Sequence, residues 1–296
     1  MGYFPIGAIV DSFKMETHEA IKKAASMGIE GLQIYCTKGI HAPENFSKAD
    51  RRELLNFAKD HGLRFSAICG DLGGGGFTHP ELNPEKIEKS KRIIDMCADL
   101  ETGVVTTHIG VVPEDKNHER YKIMQEACHE LAMYADSVGA KFAIETGPER
   151  SIILKEFLDS LGSTGVSVNL DPANLVMVTG DDPVQAVYNL QKYIVHTHAK
   201  DGVKLLDVGP EIAYRVVHPV PEEFQGKKFY QEVPLGQGSV DFPKYLAALK
   251  DIGYKGFLTI ERECGEDPAA DILSSSNALG MFSSRFSPDR YSLASV

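Results

Sequence analysis

The strongest constraint in this sequence is an alternation. Short apolar runs rich in β-branched and aromatic residues take turns with longer stretches whose apolar residues recur at steps of three and four. The short runs cover 3–10, 31–36, 64–69, 104–109, 141–145, 166–170, 194–198 and 257–261. Within 119–138, Met124, Cys128, Leu131, Ala135 and Val138 form one stripe at helical spacing, the mark of a helix with one face on a core. Similar stripes cover 17–27, 47–61, 84–100, 152–161, 183–193, 241–252 and 268–282. Gly28, Gly62, Gly139, Gly162 and Gly253 each follow a stripe by zero or one residue, where a helix ends in a left-handed cap. Ser47 with Asp50 reads as an N-terminal cap, and Pro84 and Pro183 suit first helical turns. Eight strands too uniformly apolar to face water predict a parallel sheet covered on both faces. Nothing marks the crevice of an open doubly wound sheet. The expected fold is α/β, a closed (β/α)8 TIM barrel forming a single domain over 1–296.

Composition narrows the function classes. The chain has 43% hydrophobic and 25% charged residues, which excludes wholesale disorder. Its 31 Lys+Arg against 42 Asp+Glu give a net charge of −11; such a surface repels phosphate backbones, so no nucleic-acid partner is expected. The opening residues carry neither a basic n-region nor a long apolar stretch, and no apolar run approaches the roughly 20 residues of a membrane span. Five widely spaced cysteines without a CxxC pair fit reduced thiols. A cytoplasmic protein without a membrane partner is expected. Two stretches depart from the alternation. Residues 202–240, after the seventh strand, are too long for a connector and are expected to form a functional loop or lid. Gly73 to Gly76 match neither a P-loop nor a dinucleotide fingerprint and read as a flexible loop at the barrel mouth.

In such a barrel, chemistry sits at the C-terminal ends of the strands. The fifth run ends in Glu145, the sixth is followed by Asp171, the seventh ends in His198, and the eighth ends in Glu261. Three carboxylates and an imidazole would then share one small volume, and a divalent cation relieves their repulsion. Three hard oxygens and one nitrogen suit Mn²⁺ first, then Mg²⁺ or Co²⁺, with Zn²⁺ less suited to a carboxylate-rich set. Side chains two apart on a strand share a face, so His196 and His198 point the same way. His198, nearer the mouth, is the expected ligand, and His196 a core histidine one layer down. Glu263 shares a face with Glu261 and reads as a rim residue. His108, after the fourth run, and Lys200, after the seventh, are either substrate contacts or packed and salt-bridged residues.

These residues resemble the xylose-isomerase-like barrel family of sugar-phosphate isomerases and epimerases, which includes ketose 3-epimerases and inosose-processing enzymes. The resemblance is carried by Ile144-Glu145-Thr146, Leu170-Asp171-Pro172-Ala173-Asn174, His198-Ala199-Lys200-Asp201, Gly236-Gln237-Gly238-Ser239-Val240-Asp241 and Thr259-Ile260-Glu261-Arg262. It implies one divalent metal held by Glu145, Asp171, His198 and Glu261, with Glu145 and Glu261 as the proton-transfer pair on opposite faces of the reacting carbon. The implied substrate is a small ketose, cyclitol or oxo-sugar, and relatives are often homo-oligomers, with the tail 283–296 a candidate contact. Asn174 stands where ketose 3-epimerases place a substrate-binding His, and Lys204 where they place an Arg. Gln33 stands near a position where relatives often have Glu. Other chemistries share the fold: a metal-dependent lyase, dehydratase or C-glycoside-cleaving enzyme, a three-zinc abasic-site endonuclease, or an idle sugar-binding protein.

Overall fold

The computed structural model describes residues 3–286. Its barrel strands are β1 (Ile6–Ile9), β2 (Gly31–Tyr35), β3 (Arg64–Cys69), β4 (Val104–Thr107), β5 (Lys141–Glu145), β6 (Val166–Leu170), β7 (Ile194–Ala199) and β10 (Leu258–Ile260), where β8 (Asp201–Lys204) and β9 (Tyr230–Val233) lie outside the barrel. The eight are parallel and close in the order β1-β10-β7-β6-β5-β4-β3-β2. The long helices are α1 (Thr17–Ser26), α2 (Lys48–Asp60), α3 (Asn83–Asp99), α4 (Glu119–Ser137), α5 (Ser151–Leu161), α7 (Pro183–Leu190), α9 (Phe242–Asp251) and α10 (Pro268–Ser283); α6 (Pro172–Asn174) and α8 (Pro210–Ala213) are single turns. The chain is thus the (β/α)8 barrel that the alternation predicts. None of the helices among the described residues is long and apolar enough to cross a membrane.

The expected punctuation is in place. Ser47 and Asp50 form a reciprocal capping box at the start of α2. The five glycines after the helical stripes all have positive φ, between 60° and 78°, which L side chains adopt only at a cost. The apolar core is continuous between barrel and helices: Ile34, Ile68, Ile144, Val168 and Ile260 are fully buried beside helical Ile93, Leu131, Phe157 and Leu249.

Four expectations need correction. The first strand begins at Ile6, and Val10–Phe13 turns into a 3-10 helix. The fourth stops at Thr107, and the eighth covers Leu258–Ile260, so His108 and Glu261 lie just past the strands, where the chain turns over the mouth. After β6, where the sequence marks no element, α6 runs into a π-helical turn over Leu175–Thr179. The long stretch 202–240 is more than a loop. Strands β8 and β9 form an antiparallel hairpin, with Asp201 opposite Val233 and Lys204 opposite Tyr230. Asp201 fastens its base, accepting hydrogen bonds from the backbone N–H groups of Gly202, Gly236 and Gly238 at 2.9 Å and Val240 at 3.1 Å. A Cβ on Gly238 would lie 2.1 Å from that carboxylate, which accounts for the glycine. The tail residues 287–296 proposed as part of a subunit contact lie outside the described residues.

Close approach also fixes Gly165 before β6. A Cβ there would meet the backbone carbonyl of Ala132 in α4 at 1.9 Å. Gly165→Ala is therefore expected to destabilise the fold by about 2 kcal/mol or more, because two backbones must separate; a urea midpoint within error of wild type would contradict this.

Candidate functional site

The strand ends bring Glu145, Asp171, His198 and Glu261 together. One ligand atom from each lies within 4.8 Å of all the others, and all four side chains are buried. His198 Nδ1 is 3.2 Å from Glu261 Oε2, 3.5 Å from Asp171 Oδ2 and 3.6 Å from Glu145 Oε1. Its other nitrogen, Nε2, donates to Gln33 Oε1 at 3.0 Å while the Gln33 amide donates to Thr106 Oγ1. That bond orients the ring so that Nδ1 faces the carboxylates, the way ligand imidazoles are commonly fixed.

Asp171 divides its two oxygens between structure and site. Oδ1 caps α6, accepting from the N–H groups of Ala173 and Asn174 at 2.8 and 3.0 Å. Oδ2 is buried and has no hydrogen-bond partner. Thr146 Oγ1, at the end of β5, donates to the Asp171 carbonyl and accepts from its N–H, which holds the two strand ends together. Glu145 is held from both sides: Asn169 donates to Oε2 and Asn174 to Oε1, each at 3.1 Å. Glu261 Oε2 accepts from Lys200 at 3.0 Å, and Lys200 also donates to Glu263 at 2.7 Å.

The electrostatics follow from this crowding. Burial pushes the Asp171 carboxyl above its ordinary range. Burial acts the same way on Glu261, but Lys200 and His198 outweigh it and hold that carboxyl well below. Burial disfavours a charged His198, yet Glu261 and Glu145 raise it well above an ordinary imidazole. His196 sits one layer deeper, hydrogen-bonded to Asn169 Oδ1 at 2.8 Å and Thr259 Oγ1 at 2.9 Å. Burial pushes it far down and keeps it neutral, as expected of a core histidine.

A cavity of about 540 Å³ opens above the cluster, within the range of small-molecule sites. His108, Asn174, Lys200 and Glu263 line it, as do Cys264 and the hairpin strand β9. His108 Nδ1 is 3.2 Å from Asp71 and its Nε2 is 3.6 Å from Glu145; burial opposes its charge, but Glu145 and Asp71 lift it to about 10. Arg262 anchors the hairpin to the rim by pairing with Glu232 and, at 2.8 Å, with Asp271. Lys204, expected to contact substrate, is not among the residues that line this cavity; it lies on β8 of the hairpin and pairs with exposed Asp207 at 2.6 Å. All five cysteines are free thiols; four are buried and Cys264 is exposed.

Sequence reasoning missed three residues. Asp71 follows β3 as Asp171 follows β6, and the same strand-end rule would have found it. Asn169 is two residues before Asp171 and therefore on its face. Tyr214 reaches the cavity from the inserted segment and carries no local signal.

The family description "Xylose isomerase-like TIM barrel" matches residues 21–279, and the chain belongs to that family. It is 24% identical over 241 residues, 77% of each protein, to a Haemophilus influenzae protein provisionally named L-ribulose-5-phosphate 3-epimerase SgbU. It is also 27% identical over 157 residues to an inosose dehydratase of Clostridium botulinum, covering 52% of this chain and 50% of the relative. The crystal structure of a xylose isomerase domain protein from Planctomyces limnophilus superposes with a TM-score of 0.78 at 24% identity, covering 96% of this chain and 98% of that one.

One buried group near the mouth gives a pH signature. Glu149 has one oxygen without a partner, while the other accepts weakly from Val112 N at 3.5 Å. Burial raises its pKa from 4.5 to about 8. Between those values the folded chain holds a proton that the unfolded chain has released, so stability falls as pH rises through that window. The slope contributed is at most about 1.4 kcal/mol per pH unit. Glu149→Gln is expected to remove this contribution, measured by urea unfolding at pH 5 and pH 8. The same loss of stability in variant and wild type would contradict it.

Proposed function

We propose that the protein is a divalent-metal-dependent sugar isomerase or epimerase. Its substrate would be a ketose, cyclitol or oxo-sugar that exchanges a proton on a carbon beside a carbonyl. The observation that carries this reading is the convergence of four buried donors, one of them Asp171 Oδ2 without a hydrogen-bond partner, beneath a cavity that Glu145 and Glu261 line. The donor set fits a hard divalent ion, Mn²⁺ first, with Mg²⁺, Co²⁺ or Zn²⁺ as alternatives. Among the described residues it is one such cluster, which favours a single centre over the three-zinc nuclease arrangement. A metal held by Glu145, Asp171, His198 and Glu261 would supply Lewis-acid stabilisation of negative charge on a substrate oxygen.

The chain's own groups would do the rest. Glu145 on β5 and Glu261 after β10 leave the barrel rim with β6 and β7 between them, so they would approach a substrate from two sides. One would remove a proton and the other return one, within reach through short carboxylate side chains. Asn169 and Asn174 fix the Glu145 oxygens, and Lys200 orients Glu261. His108, Asn174 and Lys200 would hold substrate hydroxyls along the wall. The free thiols suit a cytoplasmic setting. A second reading, dehydration of an oxo-sugar, is favoured by one feature: Lys200 and His108 are proton-bearing groups on the cavity wall that could protonate a departing hydroxyl.

The test is a screen of ketoses and oxo-sugars in D₂O with the Mn²⁺-loaded protein. A substrate should take up solvent deuterium without losing water, and Glu145→Gln or Glu261→Gln should each lower the rate about a hundredfold or more while the barrel stays folded. Incorporation retained by both variants would overturn the proton-transfer assignment. Release of water with a mass loss would select the dehydration reading.

A further inference from the structure

A second cavity of about 250 Å³ abuts the first and shares Asp71, His108 and Tyr214 with it. The remaining wall is the glycine run Gly73 to Gly76 together with Gly110, Val111, Pro148 and Val216. The sequence reads the glycine run as a flexible loop; the structure shows a pinned one. Gly73 to Gly76 all have positive φ, at 65°, 58°, 75° and 65°. The Lys86 ammonium donates to the carbonyls of Gly73 at 3.0 Å, Gly74 at 3.2 Å and also Gly76. Asp71 accepts from Gly73 N at 2.8 Å, and Phe77 N donates to the Ile109 carbonyl at 2.9 Å. A Cβ on Gly76 would lie 1.9 Å from the Ile109 carbonyl carbon, and one on Gly110 would lie 2.4 Å from the Gly75 oxygen. The loop therefore packs directly on the chain after β4 and presents backbone without side chains.

The chemistry of the two compartments differs. The first holds the carboxylate cluster and Lys200. The second offers peptide faces and the apolar surfaces of Val111, Pro148, Val216 and Tyr214; its charged groups, Asp71 and His108, are already paired with each other. The His108 and Tyr214 rings, with centroids 6.1 Å apart, stand at the junction. Such a wall suits the face of an uncharged ring and brings no free cationic side chain to a phosphate, because Lys86 is engaged by the glycine carbonyls and His108 by Asp71.

We propose that the substrate has two parts: an oxo-sugar ring over the carboxylate cluster, and an uncharged aromatic or apolar substituent, glycosidically attached, in the compartment floored by Gly73 to Gly76. The inference rests on the oxo-sugar reading for the first part, and burial of the second supplies affinity that a free monosaccharide lacks.

Calorimetric titration of the Mn²⁺-loaded protein tests it with two probes, 3-oxo-D-glucose and phenyl 3-oxo-β-D-glucoside. The phenyl glycoside is expected to bind at least tenfold more tightly. Val216→Trp, which fills the compartment from its partly exposed wall, should cancel the preference and leave the free sugar within twofold. Val216→Ala, a milder change on the same wall, should reduce the preference severalfold and covers the case in which the tryptophan variant does not fold. Equal affinities in wild type, a preference that survives both variants, or no binding of either probe would overturn the proposal. Tight binding of the glycoside without deuterium uptake would instead remove the isomerase reading and leave the second compartment standing.

Discussion

Three carboxylates buried within reach of one another are the constraint around which this structure is arranged. Glu145, Asp171 and Glu261 sit with an imidazole in a space where Coulomb repulsion is weakly screened. Each is met by a specific counterweight: two asparagine amides on Glu145, a helix turn on one oxygen of Asp171, and Lys200 on Glu261. These contacts leave Asp171 Oδ2 unpartnered and Nδ1 of His198 directed at the cluster. An arrangement that leaves one buried carboxylate oxygen facing only an imidazole at 3.5 Å is costly unless a cation completes it.

The barrel supplies that crowding at little cost in precision because parallel strands end at one rim. Their hydrogen-bonded registers fix where Glu145, Asp171, His198 and Glu261 leave the sheet, and short polar staples hold the last residues. Thr146 ties the ends of β5 and β6, and Gln33 and Thr106 steady His198 from the far side of the barrel. The hairpin inserted after β7 then roofs the cavity, fastened at its base by Asp201 and through its second strand by the Glu232–Arg262 pair. Floor, wall and roof thus come from different parts of the chain: Thr146, Gln33 and Thr106 hold the floor, Lys86 the glycine wall, and buried Asp201 and Arg262 the roof.

Much of this is legible in the sequence because it depends on local periodicity. The strand and helix alternation, the glycine caps and the Ser47 box are local signals, and each strand-end acid becomes a site candidate once the barrel is assumed. Parity puts His196 and His198 on one face, and the structure has His198 beside the carboxylates and His196 one layer deeper. What escapes is what depends on direction rather than position. Lys204 occupies a suggestive place after His198, but β8 turns away from the barrel and carries it to Asp207. Tyr214 and β9 reach the cavity only because a hairpin folds back, and no periodicity within 202–240 announces that. The glycine run looks mobile in sequence because the lysine that pins it lies on α3.

If the four buried side chains form one metal centre, the protein's metal content follows from them. Wild-type protein and Asp171→Asn would be equilibrated with Mn²⁺, dialysed and analysed by mass spectrometry of the elements. About one divalent ion per chain is expected in wild type and less than roughly a tenth of that in the variant, with both proteins folded. Equal metal in the two proteins, or none in wild type, would contradict it.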